Sequence, residues 1–301
     1  MSISESESTV SIVTPRRDLH DIDFWRQLNP ALHIGDQAFC GAISTFSLDA
    51  AAGARFEQRL VREGYFQYHI APENWQISLS DMAQAVKTLV GAGIATPFAF
   101  LYDEFWLLFA KQAQVIARYL GDDYQVLPDF WVWHVDPARG DSGWKPHRDK
   151  GRVALYPDGK PKSLTIWIPL TLATPTNGCM YLVPADKDRN YGTEKEKDWQ
   201  FGYADIRALP GQPGTVFIWN QAVLHWGGSS TPFSPDGPRV SAAFEFQRKD
   251  VPPFNLPLMS PLQIPNFEIR MKLVAKQILQ YKHMYPLSAE LEQFATGILA
   301  A

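Results

Sequence analysis

The apolar period of this chain changes once, and the change limits what it can fold into. From Asp21 to about Leu127 apolar residues recur at helical spacing, as in Val86, Leu89 and Val90, whereas from Phe130 onward they fall in short runs of period two. Those runs are Phe130–Val135, Ser163–Leu170, Cys179–Val183, Gly214–Trp219 and Val240–Gln247, with loops rich in Gly, Pro, Asp and Asn between them. Short strands at uneven spacing, with no helical pattern between them, argue against a parallel βαβ sheet and for a sandwich or barrel. In the first half, one helix is predicted with Asp81 as its cap and Gln84 reaching back, and another from about Asp103 to Leu120, ending at Gly121. Beyond Asp250, five prolines between Val251 and Phe267 predict an extended strap. Phe267, Met271, Val274, Ile278 and Tyr281 then form the apolar stripe of a helix. The expected organisation is a disordered tail over 1–20 and one domain over 21–301. Within it, 21–127 is a helical buttress, 128–250 the β core and 251–301 the strap and C-terminal helices.

Composition narrows the function. With 46% hydrophobic residues in 301, the chain can bury a sizeable core. Its 28 basic and 32 acidic residues give a net charge of −4, which supplies no field for non-specific nucleic-acid binding. The longest apolar run, Leu89 to Tyr102, is broken by Pro97 and falls short of the ~20 residues a membrane-spanning helix needs. The N-terminus has acidic residues before basic ones and no apolar stretch of a secretory signal. Cys40 and Cys179 are too few for a disulfide framework or a thiolate zinc site, so a cytoplasmic protein is expected. Gly91-Ala-Gly93 lacks the third glycine of a dinucleotide fingerprint and follows a helix, and no Gly-x-Ser-x-Gly elbow occurs. Seven of the ten tryptophans lie between Trp131 and Trp226, which predicts an aromatic-walled cavity in that stretch.

One constellation of polar residues stands in the same stretch. Trp144-Lys-Pro-His147-Arg-Asp149 carries His and Asp at i and i+2, and on a strand such residues share a face, so both can converge on one cation. His225, in Trp219-Asn-Gln-Ala-Val-Leu-His225, offers a third ligand. Two histidines and a carboxylate occupy one face of an octahedron and leave the other open, as in non-haem Fe(II) oxygenases. A hydrogen-bonded core histidine is the ordinary alternative. The strand from Arg239 tips the balance: period two puts Arg239, Ser241 and Ala243 on one face and Val240, Ala242, Phe244 and Phe246 on the other. A guanidinium turned into an apolar barrel needs an anion. A dicarboxylate held bidentately by Arg239, with a hydroxyl from Ser241 and room left by Ala243, supplies one.

Together with Leu164-Thr-Ile-Trp-Ile-Pro-Leu170 and Thr174-Pro-Thr-Asn-Gly-Cys-Met-Tyr-Leu-Val-Pro184, these residues resemble the phytanoyl-CoA dioxygenase family of Fe(II)/2-oxoglutarate oxygenases, over roughly 128–248. The resemblance implies a mainly β fold, a double-stranded β-helix or cupin-like jelly roll, with a helical N-terminal part and C-terminal helices. It implies that His147, Asp149 and His225 hold Fe(II) and that Arg239 and Ser241 hold the distal carboxylate of 2-oxoglutarate. O2 is then the oxidant, and ascorbate a candidate reductant. Thr165 and Trp167 share one face of their strand, where Trp167 either walls the cosubstrate or is core. His134 stands where relatives send a polar side chain toward 2-oxoglutarate, or else is structural. Asp149 favours hydroxylation, desaturation or cyclisation, since halogenating relatives carry a small residue there. Two departures stand out: Gly227 where many relatives have a small polar residue, and an apparent insertion over 232–238.

The primary substrate is expected to be a small molecule. Lys145, Arg148, Lys150, Arg152, Lys160 and Lys162 form either a solvated hairpin or an attractor for an anionic substrate. The charge run Lys187–Asp198 reads as a solvated loop or a lid. A monomer or homodimer is expected, with no nucleic acid or membrane as partner. Two further readings belong to other classes, a non-catalytic jelly-roll binding module and a cupin-like metal hydrolase. Neither needs an Arg-x-Ser strand opposite a metal.

Overall fold

A computed structural model describes residues 18–261, 263–284 and 287–300. Eight strands form two antiparallel sheets among these residues. The larger sheet has the order β1-β6-β3-β8-β2, from β1 (Tyr65–His69), β2 (Gln125–Val135), β3 (Ser163–Pro169), β6 (Thr215–Asn220) and β8 (Arg239–Gln247). The smaller has the order β5-β4-β7, from β4 (Met180–Val183), β5 (Arg207–Leu209) and β7 (Leu224–Gly227). This is the jelly roll.

Strand alternation divides the core in two. On β8, Val240, Ala242, Phe244 and Phe246 join Ile166, Ile168, Val216 and Ile218 against the helices, while Ala243 joins Trp167, Phe217, Trp219 and Leu182 between the sheets. The helical layer comprises α1 (Ile22–Leu28), α2 (Gln37–Ala42), α3 (Ala50–Arg62), α4 (Leu79–Gly91), α5 (Asp103–Ala110) and α6 (Ala113–Leu120), joined from the far end of the chain by α7 (Phe267–Gln280) and α8 (Ala289–Ala300). Arg270 of α7 enters this layer. Its guanidinium meets the Asp103 carboxylate at 2.6 Å and donates to the carbonyls of Leu101 and Pro265.

Several local expectations are corrected. Ser78, not Asp81, caps α4, accepting from the Asp81 N–H at 3.2 Å. The predicted helix from Asp103 to Leu120 breaks between Ala110 and Ala113, where the buried Lys111 turns its ammonium to the Ser44 carbonyl and Gln76. Most of the tail predicted over 1–20 lies outside the described residues, but Leu19 is buried and its carbonyl accepts from the Trp25 indole, so the packed domain includes it. On the C-terminal helix Met271, Val274 and Ile278 are buried as predicted, whereas Tyr281 falls beyond α7 and faces the barrel mouth.

All five predicted strands are present with shifted ends, and three more were not foreseen. β1 sits in the helical half, and β5 and β7 are only three and four residues long. The edge strand β2 carries Pro128 at an irregularity between Val126 and Phe130, a position where a missing N–H is tolerated. There Asp129 is fully buried. The proline-rich segment crosses this edge, and Met259 pairs with Val126.

Candidate metal and cosubstrate site

His147 lies outside the named strands, but its backbone exchanges two 3.0 Å hydrogen bonds with His225 of β7, which puts the two imidazoles side by side. Each ring's Nδ1 faces a carbonyl, Lys145 at 2.7 Å for His147 and Val223 at 3.0 Å for His225. A carbonyl only accepts, so both Nδ1 atoms carry the proton and both Nε2 lone pairs are left for a metal. Each Nε2 is 3.4 Å from Asp149 Oδ1. The other oxygen, Oδ2, accepts from the Thr165 hydroxyl at 2.7 Å and the Trp219 indole at 3.2 Å. Burial raises the Asp149 pKa, but the two histidines outweigh it and hold the carboxyl well below its usual range. Burial likewise opposes a charge on His225, yet Asp149 pulls its pKa up.

Arg148, between the two outer ligands, points away from them. Its guanidinium is buried against the Asp188 carboxylate and donates to the carbonyls of Ala222 and Glu196. The run Lys187–Asp198 is therefore more than a solvated loop, since Asp188 and Glu196 clasp the segment that carries His147 and Asp149.

The donor set fits a six-coordinate iron. Metal–ligand bonds of ~2.1 Å at right angles separate donor atoms by about 3 Å, and the three atoms here lie within 4.8 Å of one another. Second contacts fix every ligand's orientation, as metal sites require. Next to them a cavity of about 180 Å³ contains Trp167 and Arg239 in its wall.

Arg239 is 1% exposed, and among the described residues no carboxylate pairs with it. One guanidinium nitrogen donates to Ser241 Oγ, and Nε has no partner. Burial pulls its pKa down to about 10, so it remains charged at neutral pH. The indole N–H of Trp167, whose ring lies 5.7 Å from the Arg239 carbon, is also without a partner. Two unsatisfied donors beside a metal triad form a cradle for an anion.

The structure revises three expected roles. Thr165 lines the cavity, but its hydroxyl donates to Asp149 and accepts from Gln221, so its observed contacts orient a ligand. His134 pairs with Val240, whose side chain packs against the helices, and thus lies on the face of β2 turned away from the cavity; its burial lowers its pKa. Four members of the basic cluster are matched by acids, Arg148 with Asp188, Lys150 with Glu245, Arg152 with Glu194 and Lys160 with Asp158, so much of its charge is spent within the fold. Gly227 has a steric origin, because a Cβ there would stand 2.5 Å from Gly143 Cα on the neighbouring strand segment. Loop 228–238 is tied down through Asp236 to Thr174 and Gly237 to Asn177, which leaves both strand ends in place. Trp219, Gln221 and Glu245 were not foreseen. Only Glu245 carried a signal, since period two places it on the Arg239 face.

The model of the phytanoyl-CoA dioxygenase (PhyH) family matches residues 71–234, more than half of the 301, and the chain belongs to this family of 2-oxoglutarate-dependent dioxygenases with the His-x-Asp and distal His intact. Solved structures share the fold at low identity. AviO1 from Streptomyces viridochromogenes Tue57 is 20% identical with a TM-score of 0.51, over 69% of this chain and 99% of its own. The non-heme monooxygenase ThoJ, as a nickel complex, is 15% identical with a TM-score of 0.55, over 76% and 98%. EctD from S. alaskensis with bound Fe is 18% identical with a TM-score of 0.50, over 73% and 82%. No curated protein matches the sequence. Among the described residues, no helix is long and apolar enough to cross a membrane.

Proposed function

We propose that His147, Asp149 and His225 hold Fe(II), that Arg239 and Trp167 bind the distal carboxylate of 2-oxoglutarate, and that the protein hydroxylates a small organic molecule. The buried Arg239 carries this reading, because a guanidinium with an unsatisfied Nε beside a three-ligand cluster has no acidic partner among the described residues to explain it. When bound, iron supplies the coupling of O2 to decarboxylation of 2-oxoglutarate, giving succinate, CO2 and a hydroxylated product. The chain's own part is to orient and exclude. Thr165 and Trp219 occupy Asp149 Oδ2, so that carboxylate offers one oxygen to the metal. Ser241 steadies Arg239, and the aromatic wall keeps bulk water from the reacting atoms. Asp149 fills the position a halide would need, which favours hydroxylation or a desaturation or cyclisation of the same substrate radical. Ascorbate would serve only to keep the iron ferrous.

The test is anaerobic addition of Fe(II) and then 2-oxoglutarate to the full chain. A visible charge-transfer band is expected with the wild type and not with Asp149→Ala. A wild type that binds Fe(II) but gives no band would return the protein to the metal-hydrolase class, and one that binds no metal would make it a binding module.

A further inference from the structure

The cavity has a second side, which the proposed iron and cosubstrate do not use. Arg239 and Glu245 face the same space from β8 but stand six residues apart, about 20 Å along the strand. Around Glu245 the chain gathers a different chemistry. The Lys150 ammonium is 3.1 Å from Glu245 Oε2 and 3.8 Å from Asp129 Oδ2, and Gln221 donates to the same Glu245 oxygen at 2.7 Å. An ammonium has three donor hydrogens. Two face carboxylates, and the third is left for the cavity that Lys150 lines.

The wall over this polar spot is aromatic and comes partly from the end of the chain. The Tyr281 ring packs 4.5 Å from Trp131, and its hydroxyl donates to Asp129 Oδ1 at 2.6 Å. The His283 ring lies 5.5 Å from Trp144, which in turn lies 6.2 Å from His147. Flat side chains therefore run without a break from the C-terminal turn to a metal ligand. Trp131 and Trp144 lie inside the 71–234 segment matched by the family model, whereas Tyr281 and His283, which close this wall, lie beyond it.

Resting on the oxygenase reading above, we propose that this side selects an uncharged, ring-bearing molecule that stacks among Trp131, Trp144 and Tyr281 and accepts a hydrogen bond from Lys150 through a hydroxyl or carbonyl oxygen. The charge balance carries the choice. Burial pushes the Glu245 carboxyl up to about 8, so at neutral pH it is mostly protonated and the Lys150 ammonium is balanced by the Asp129 carboxylate alone, which leaves a side with no net charge to attract an anion or a cation.

Three probes with one ring and different charge isolate the claim: 2-naphthol, 2-naphthoate and 2-naphthylmethylammonium. Their binding to the full chain loaded with Fe(II) and 2-oxoglutarate without O2 is measured by calorimetry. 2-Naphthol is expected to bind at least about tenfold more tightly than either charged probe. Tyr281→Ala and Lys150→Met should each weaken it about tenfold while 2-oxoglutarate affinity stays unchanged. Equal or tighter binding of a charged probe, or 2-naphthol affinity indifferent to Tyr281→Ala, overturns the proposal. Tyr281→Ala lies outside both sheets and decides the matter if Lys150→Met fails to fold. A wild type that prefers 2-naphthol yet binds no 2-oxoglutarate would sink the oxygenase reading and leave this selectivity standing.

Discussion

Two arginines of this protein are equally hidden, Arg270 at 2% and Arg239 at 1% exposure, and they do opposite things. In the helical layer, Arg270 pairs with Asp103, and two carbonyls accept further hydrogens from it. In the barrel, Arg239 has, among the described residues, one hydroxyl neighbour, an unsatisfied Nε and no acid. Arg270 pins α7 to the turn before α5, with its charge cancelled on the spot. Arg239 holds its charge open toward a cavity. A buried cation completed by its own chain is part of the structure, whereas one left incomplete marks where a ligand completes it.

The contrast can be broken at either end. Arg270→Met strands the buried Asp103 carboxylate and should cost about 3–5 kcal/mol of stability in denaturant unfolding; a neutral result would erase the distinction. Arg239→Met removes a cation with no partner, so the unliganded protein should unfold no more easily than wild type. Its affinity for 2-oxoglutarate should nonetheless drop about 100-fold, roughly 2.7 kcal/mol, and saturating 2-oxoglutarate should no longer raise its unfolding temperature. Gly227→Ser drives a Cβ into Gly143 and should destabilise by about 1–3 kcal/mol, with Fe(II) binding weakened because β7 carries His225. The smallest effect overall is expected from Thr165→Val. Fe(II) affinity measured by competition with a chelator should fall about 10-fold or more, while stability changes by about 1 kcal/mol.

The two arginines also show what a sequence reveals. Arg239 was legible because it begins a period-two strand, which assigns every second residue a face, and because a charge on an otherwise apolar face needs a reason. His147, Asp149 and His225 were legible as spaced ligands. Arg270 was hidden on a helix whose apolar stripe omits it, and its partner Asp103 lies 167 positions away. Separation along the chain likewise concealed the Asp149 contacts with Thr165, 16 positions away, and Trp219, 70 away, which depend on three separate chain segments meeting. His134 stayed open between two roles because its place in the sequence carries no face until β2 is registered against β8. The short strands β5 and β7 have too few residues to display a period at all.

The clasp on Arg148 has a consequence for the surface. Asp188 and Glu196 grip the backbone segment between two proposed metal ligands, so order in that loop and occupancy of the metal site are thermodynamically reciprocal. Whatever loosens the loop must weaken the metal by the same factor, and metal must in turn shield the loop. A protease that nicks within 187–198 should therefore cut the metal-free protein faster than the Fe(II)-loaded one, making a stretch of charged surface chain a reporter of an ion buried beneath it.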